Sequence, residues 1–176
     1  MNKKIFLIKF LLIFLIFLTD QISKYYIINI FKSQNEEIYL TSFLNFQLIW
    51  NEGIAFGLLS FENDLYYNSI TFLIVVVILI LLFLIRNNDQ SSYFYSMIVG
   101  GALGNLTDRI RYSSVPDFID FHIGNFHWFI FNVADIFITL GVIFMIIIEI
   151  TGNNKNNKYE IKLYDQIKIK NQITLF

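Results

Sequence analysis

Asp20, Asp108, Asp117 and Asp135 lie in or beside strongly apolar stretches of a chain that otherwise reads as helices made for lipid. An ionisable group at membrane depth is costly and is kept for function or for pairing. Asp117, in VPDFID, and Asp135, in FNVAD, flank the entry to the last long apolar stretch, so the chain can bring two carboxylates together at one face of a bilayer. Such a pair can hydrolyse a peptide bond without a metal or a covalent intermediate. One carboxylate takes a proton from water while its partner protonates or hydrogen-bonds the scissile carbonyl. Two nearby like charges disfavour double ionisation, so the pair holds one proton and serves both roles, with the assignment of acid and base open. Residue types alone leave a second role open, in which each aspartate caps or ends a helix; Asp135 follows FNV near a helix start, where an acidic residue is favourable.

The polar residues around this pair recur at helical spacing. Asn132 and Asp135 are three apart and can face the interior together, Asn132 either holding the pair or a substrate backbone or simply bonding between helices. Asn105 and Arg109 are four apart on one face. Arg109 has three options: pairing with Asp108 or another carboxylate, supporting the scaffold, or snorkelling to the headgroups, where it meets the lipid part of a substrate. Asp108 reads as part of that network and not as a third catalyst. Asp20 and Lys24 stand at i and i+4, a local ion pair or the lining of a substrate entrance. Asn51 in NEGIAFG extends polar contacts towards the site, with Gly53 and Gly57 permitting tight turns, and Gly100 and Gly101 mark a face for close helix packing. His122 and His127, near Asp117 and Asp120, raise a metal reading, but their spacing forms no HExxH motif.

The elements that must position these groups follow from composition. Of 176 residues 56% are hydrophobic, 20 are Phe, one is Pro, and mean hydropathy is +0.56 with 15% charged residues. An aqueous globule lacks the polar surface to cover so much apolar side chain, so the chain reads as an integral membrane protein. A formal net charge of -1 gives no argument for nucleic acid, and the absence of Cys excludes disulfides, thiolate nucleophiles and cysteine metal sites. Residues 4–30 resemble a signal peptide in their basic start and apolar run, but no small-x-small site follows, so they are read as the first spanning helix of the mature protein. Residues 66–85 and 129–150 are further spans, and residues 91–111 a weaker one rich in small residues. Residues 31–65 alternate imperfectly and carry β-prone aromatics, which predicts a small interfacial sheet. The section PDFIDFHIGNFHW is expected to be a loop or interfacial segment. Nine of the 13 basic residues fall on one side of this arrangement, including Lys3, Lys4, Lys9 and Arg86, which predicts cytoplasmic termini. Residues 1–150 then form one transmembrane domain and residues 151–176 a basic cytosolic tail drawn to anionic headgroups. A small transporter is the noncatalytic alternative, weakened by the lack of an internal repeat.

Five segments in this order, DQISK (20–24), NEGIAFG (51–57), GGALGNLTDR (100–109), VPDFIDF (115–121) and FNVAD (131–135), closely resemble lipoprotein signal peptidase, the signal peptidase II family of aspartic peptidases. The resemblance runs from the first helix to about Glu149. It implies an all-α integral membrane fold of four transmembrane helices with a small extracytoplasmic β-cradle. It implies removal of the signal peptide from bacterial prolipoproteins on the amino side of a diacylglyceryl-modified cysteine, downstream of the diacylglyceryl transfer step. Asp117 and Asp135 resemble the family's catalytic pair. Asp20, Lys24, Asn51, Gly101, Asn105, Arg109, Asn132 and Ala134 resemble its surrounding pocket residues. No cofactor or metal is implied, the partners are prolipoproteins and membrane lipids, the enzyme is expected to be monomeric in the bacterial cytoplasmic membrane with its site near the outer surface, and globomycin is expected to occupy the same pocket. Pro116 departs from the Val common before this Asp; proline removes an amide donor and restricts the residue before it.

Overall fold

The computed structural model describes residues 3–33, 37–53, 64–86, 90–124 and 126–151. It divides into compact units at Met1–Val142 and Ile143–Phe176, and every contact given below lies within the first. Gly57 of NEGIAFG and the basic tail beyond Thr151 lie outside the described residues.

Helix α1 runs over Lys3–Ser33, about 46 Å at 1.5 Å per residue and long enough to cross a bilayer with tilt. Its buried positions are Lys9, Ile13, Ile16, Asp20, Lys24, Ile27 and Ile28, a single stripe at spacings of three and four. The three polar members of that stripe are therefore held against protein while Phe6, Phe10 and Phe14 point outward. Lys9 donates to the carbonyl of Ile85 at 3.0 Å, just beyond the end of helix α2 (Asp64–Leu84). Helix α2 exposes Phe72, Leu79 and Phe83. Helix α3 covers Ser91–Tyr112, and helix α4 covers Val133–Thr151.

Three of these helices, α1, the Tyr67–Leu84 part of α2, and α4, are long and apolar enough to cross a membrane; α3 is not among them. Its small and polar residues lower its hydropathy, and packing accommodates them: α3 touches both α1 and α2, and it buries Ser92, Ser96, Gly100, Gly101, Gly104, Asp108 and Arg109 against protein. Its adjacent glycines serve different neighbours. A side chain at Gly100 would meet Ile16 of α1 at 2.9 Å, and one at Gly101 would meet the Ala134 carbonyl of α4 at 2.5 Å.

Strands β1 (Ile38–Tyr39), β2 (Leu44–Asn51), β3 (Val115–Ile123) and β4 (Phe126–Phe131) form one antiparallel sheet in chain order. The expected small sheet is present in β1 and β2, but PDFIDFHIGNFHW is no loop: it supplies all of β3 beyond Val115 and the first half of β4. Its aromatic and branched residues flank a Gly124 that adopts φ 59°, the positive value a two-residue hairpin connection requires. Consequently the last helix starts at Val133, not at residue 129, because 129–131 are still strand. Pro116 pairs with Trp50 of β2, before the β4 pairing begins at Ile119, so its missing N–H interrupts no β3–β4 ladder.

Gly101→Ala is expected to cost about 1–3 kcal/mol, since a backbone carbonyl cannot move aside for the new methyl. Thermal unfolding in detergent should show a lowered midpoint, whereas Gly124→Asn, with open space around it and a residue tolerant of positive φ, should leave the midpoint nearly unchanged.

Candidate active site

Asp117 reaches its place through two local devices. Ser113 ends α3 in the left-handed conformation, φ 55°, with its N–H returning to the Arg109 carbonyl at 3.0 Å, and this turns the chain directly into β3. On the neighbouring strand the register slips between Phe46 and Ile49, a bulge immediately beside Asp117, which pairs with Ile49. Asp117 is 3% exposed.

Asp135 stands in the first turn of α4, where it closes a reciprocal cap. The Asn132 backbone N–H donates to Asp135 Oδ2 at 3.2 Å, and the Asp135 N–H donates to Asn132 Oδ1 at 3.1 Å. The capping role open from the sequence is thus real, and it does not exhaust the residue: Oδ1 of Asp135 faces α3 and accepts from Asn105 Nδ2 at 2.8 Å. With its oxygen committed to the cap, the Asn132 amide has only its NH2 to offer elsewhere, and Nδ2 donates to Asp117 Oδ1 at 2.6 Å. Asn51 is oriented in the same way. Its oxygen accepts the Gly53 N–H at 2.9 Å, leaving Nδ2 to donate to Asp117 Oδ2 at 2.8 Å. Asn132 therefore touches both carboxylates, and both oxygens of Asp117 meet amide donors.

Burial pushes the Asp117 carboxyl up to about 7, and the charge of Asp135 pushes the same way; the Asn51 and Asn132 amides and the positive charge of Lys24 act against it. A carboxyl so placed exchanges its proton near neutrality. Beside it lies a cavity of about 380 Å3 walled by Ile49, Trp50, Asn51, Trp128 and Phe129. That cavity can admit an extended chain to Asp117.

The remaining predicted residues form a buried support behind the pair. Asp20, fully buried, accepts from Lys24 Nζ at 2.9 Å through Oδ2 and from the Ala134 N–H at 2.9 Å through Oδ1. Lys24 also donates to Asp108 at 2.6 Å and to Asn105 Oδ1 at 2.8 Å. Asp20 and Lys24, 0% and 2% exposed, thus form an ion pair inside the protein and not the wall of an open entrance. Gly101 and Ala134 bring the backbones of α3 and α4 together. Of the options open to Arg109, the pairing with Asp108 is not the one found, since Asp108 belongs to Lys24; Arg109 takes the scaffold role, donating to the Gly53 carbonyl and lying 5.2 Å over the Tyr67 ring. It ties α3 to the β2 end and to α2.

Sequence reasoning passed over Gln21, whose Nε2 reaches Asp108 at 3.1 Å, Asp20 at 3.3 Å and the Gly104 carbonyl at 3.3 Å. Its place inside DQISK was an available signal. Gly104 was also missed; a side chain there would run into the Asp20 carboxylate. Tyr67 gave no signal, being one aromatic at the head of an apolar run.

The family described as Signal peptidase (SPase) II matches residues 12–151. A lipoprotein signal peptidase of Pelagibacter ubique (strain HTCC1062) is 48% identical over 156 residues, covering 88% of this chain and 94% of that protein. One from Coxiella burnetii (strain Dugway 5J108-111) is 44% identical over 137 residues, covering 76% and 83%. Among solved structures, a bacterial membrane enzyme determined by the in meso method at 2.3 Å resolution is similar with a TM-score of 0.67 at 28% identity, covering 84% of this chain and 90% of that one.

Lys24→Met leaves two carboxylates buried around an apolar tip and is expected to cost about 3–5 kcal/mol. The midpoint of thermal unfolding in detergent should fall sharply, and neutralising both acids as well, in Asp20→Asn/Lys24→Met/Asp108→Asn, should recover part of the loss. A single variant as stable as wild type would show that the network is not what holds α1 to α3.

Proposed function

The chain belongs to the signal peptidase II family, and on that premise we propose that Asp117 and Asp135 are the pair with which it cleaves the signal peptides of prolipoproteins. The observation that carries the assignment is Asn132, whose side chain and backbone bond both carboxylates at once. Near neutrality the pair keeps one proton. The ionised member takes a proton from a water as that water's oxygen attacks the scissile carbonyl, and the protonated member gives its proton to the carbonyl oxygen. The resulting tetrahedral diol collapses when the carboxyl that took the water proton gives it to the amide nitrogen, the other carboxylate takes a proton from a diol hydroxyl, and the C–N bond breaks. Both carboxylates remain available for the next cycle because neither bonds covalently to substrate. Asn51, Asn105 and Asn132 act as positioning residues, each aiming an N–H at a carboxylate oxygen.

The scissile bond lies on the amino side of a diacylglyceryl-modified cysteine, and the substrate enters laterally from lipid with its apolar signal helix. In this reading α3 crosses the bilayer as a fourth span, tolerated because its polar residues face protein. The basic residues Lys3, Lys4 and Arg86 gather at one side, which supports cytoplasmic termini and a site near the outer surface. The enzyme acts as a monomer among membrane lipids, without a cofactor, and residues 151–176 form its cytosolic tail.

Cleavage of a diacylglyceryl-modified prolipoprotein by the purified protein should fall about 10²- to 10⁴-fold in both Asp117→Asn and Asp135→Asn. Wild-type cleavage should survive a chelator; robust turnover by either folded variant removes that residue from the pair. The pH profile supplies an independent check. Since Asp117 loses its proton at about 7, activity should decline on the alkaline side from there. Asn51→Ala removes a donor that favours the ionised form, so the proton is held to higher pH and the alkaline limb should move up by about one pH unit. A limb that stays in place or moves down contradicts the assignment.

A further inference from the structure

We propose that Asp120, His122 and His127 form a binding site for one divalent metal ion of the zinc type on the β3–β4 hairpin, separate from the hydrolytic pair. Asp120 and His122 alternate along β3 and so share a face, while the register sets Asn45 of β2 opposite Asp120 and His127 of β4 opposite His122. By the same alternation Asp117 points to the other face of the strand. Three strands thus place two imidazoles, a carboxylate and an amide on one patch of sheet.

The distances suit a metal. His127 Nδ1 lies 2.8 Å and His122 Nδ1 3.7 Å from Asp120 Oδ2, and one ligand atom from each residue lies within 4.8 Å of the others. Tetrahedral zinc with bonds near 2.0–2.1 Å sets its ligand atoms about 3.3 Å apart, between those two values. A simple histidine–aspartate hydrogen bond explains only the shorter contact. It leaves Asp120 Oδ1, Asn45 Oδ1 and His122 Nδ1 buried with no hydrogen-bond partner, in residues 0%, 2% and 8% exposed. A carboxylate oxygen and an amide oxygen are acceptors only, and a neutral imidazole nitrogen can be one. Two buried acceptor oxygens and an imidazole nitrogen gathered without a partner suit a cation.

Access and selectivity follow from the surroundings. A cavity of about 390 Å3 adjoins the patch, lined by Glu37, Asn45, Gln47, His122 and His127, with room for water to complete the coordination. Two imidazoles with one carboxylate favour zinc-like ions over Mg2+ or Ca2+, which take oxygen ligands. Bound there, the ion joins β3 to β4 near the hairpin tip. His127 also borders the cavity beside Asp117, so the ion would stiffen the strand that presents Asp117 without entering the proton transfers.

The test uses the tag-free, full-length protein in detergent, stripped with a chelator and titrated calorimetrically with Zn2+, with Co2+ absorption as a second readout. One equivalent should bind, tetrahedral visible bands should appear with Co2+, and the unfolding midpoint should rise with Zn2+ concentration but not with Mg2+. His127 is half exposed, so His127→Ala should fold and should weaken binding at least about 100-fold, beyond the loss typical of outer-sphere changes. His122→Ala/His127→Ala should abolish both the heat and the bands. Equal binding in the variants, or none in wild type, overturns the proposal and leaves Asp120 and His127 as a plain hydrogen-bonded pair.

Discussion

The reciprocal cap between Asn132 and Asp135 is the interaction on which the site depends. A helix start leaves backbone N–H groups without partners, and an apolar medium makes each unpaired group costly. Here the cap is closed by Asp135, one member of the proposed pair, and by Asn132, the residue proposed to position that pair. Because the cap occupies the oxygen of Asn132 and one oxygen of Asp135, each is left with a single polar edge, and those edges face β3 and α3. The helix terminus thus dictates which way the carboxylate and the amide point. Orientation is set before any substrate arrives.

Behind the cap the polar groups form a continuous chain and not a scatter of pairs. Asp20 takes the Ala134 N–H at the same helix terminus, Lys24 binds Asp20, Asp108 and Asn105, and Asn105 returns to Asp135. Each link satisfies a group that burial would otherwise penalise. Such a network requires close backbones, and the glycines on α3 supply them: Gly100 admits α1, Gly101 admits α4, and Gly104 makes room for the Asp20 carboxylate. Packing and electrostatics here are one requirement, since a bulkier α3 would part the charges as well as the helices.

The sheet answers a different need. Asp117 stands on a strand whose neighbours are a bulged β2 and a short β4, with a cavity walled by Trp50, Trp128 and Phe129 at its side, which leaves it the open edge that the proposed role requires. The hairpin from β3 to β4 also delivers the chain to the α4 cap, so the segment that carries the first aspartate is the one that sets the position of the second. Burial, with the charge of Asp135 beside it, raises Asp117 towards neutrality.

Much of this was legible in the residues themselves. Long apolar runs reveal α1, α2 and α4 because hydropathy and helical length are local properties, and the i to i+4 spacing of Asp20 and Lys24 reveals their ion pair because a single helix determines it. The two aspartates stood out because charge beside a lipid-facing segment needs a reason. Other features belong to tertiary structure alone. The segment from Pro116 to Trp128 has mixed polar and aromatic character that suits a loop or a strand, and only pairing of β3 with β2 and of β4 with β3 decides for strands. Arg109 lies beside Asp108 in sequence yet on a helix successive residues diverge, so Lys24 from α1 takes the carboxylate and Arg109 reaches Gly53 and Tyr67. The convergence of Asp120, His122 and His127 likewise rests on a register between strands. Sequence by itself determined which groups are charged, which runs are apolar and which neighbours share a helical face; long-range pairing decided their partners, because a side chain's options are local while the atoms that satisfy it come from elsewhere in the fold.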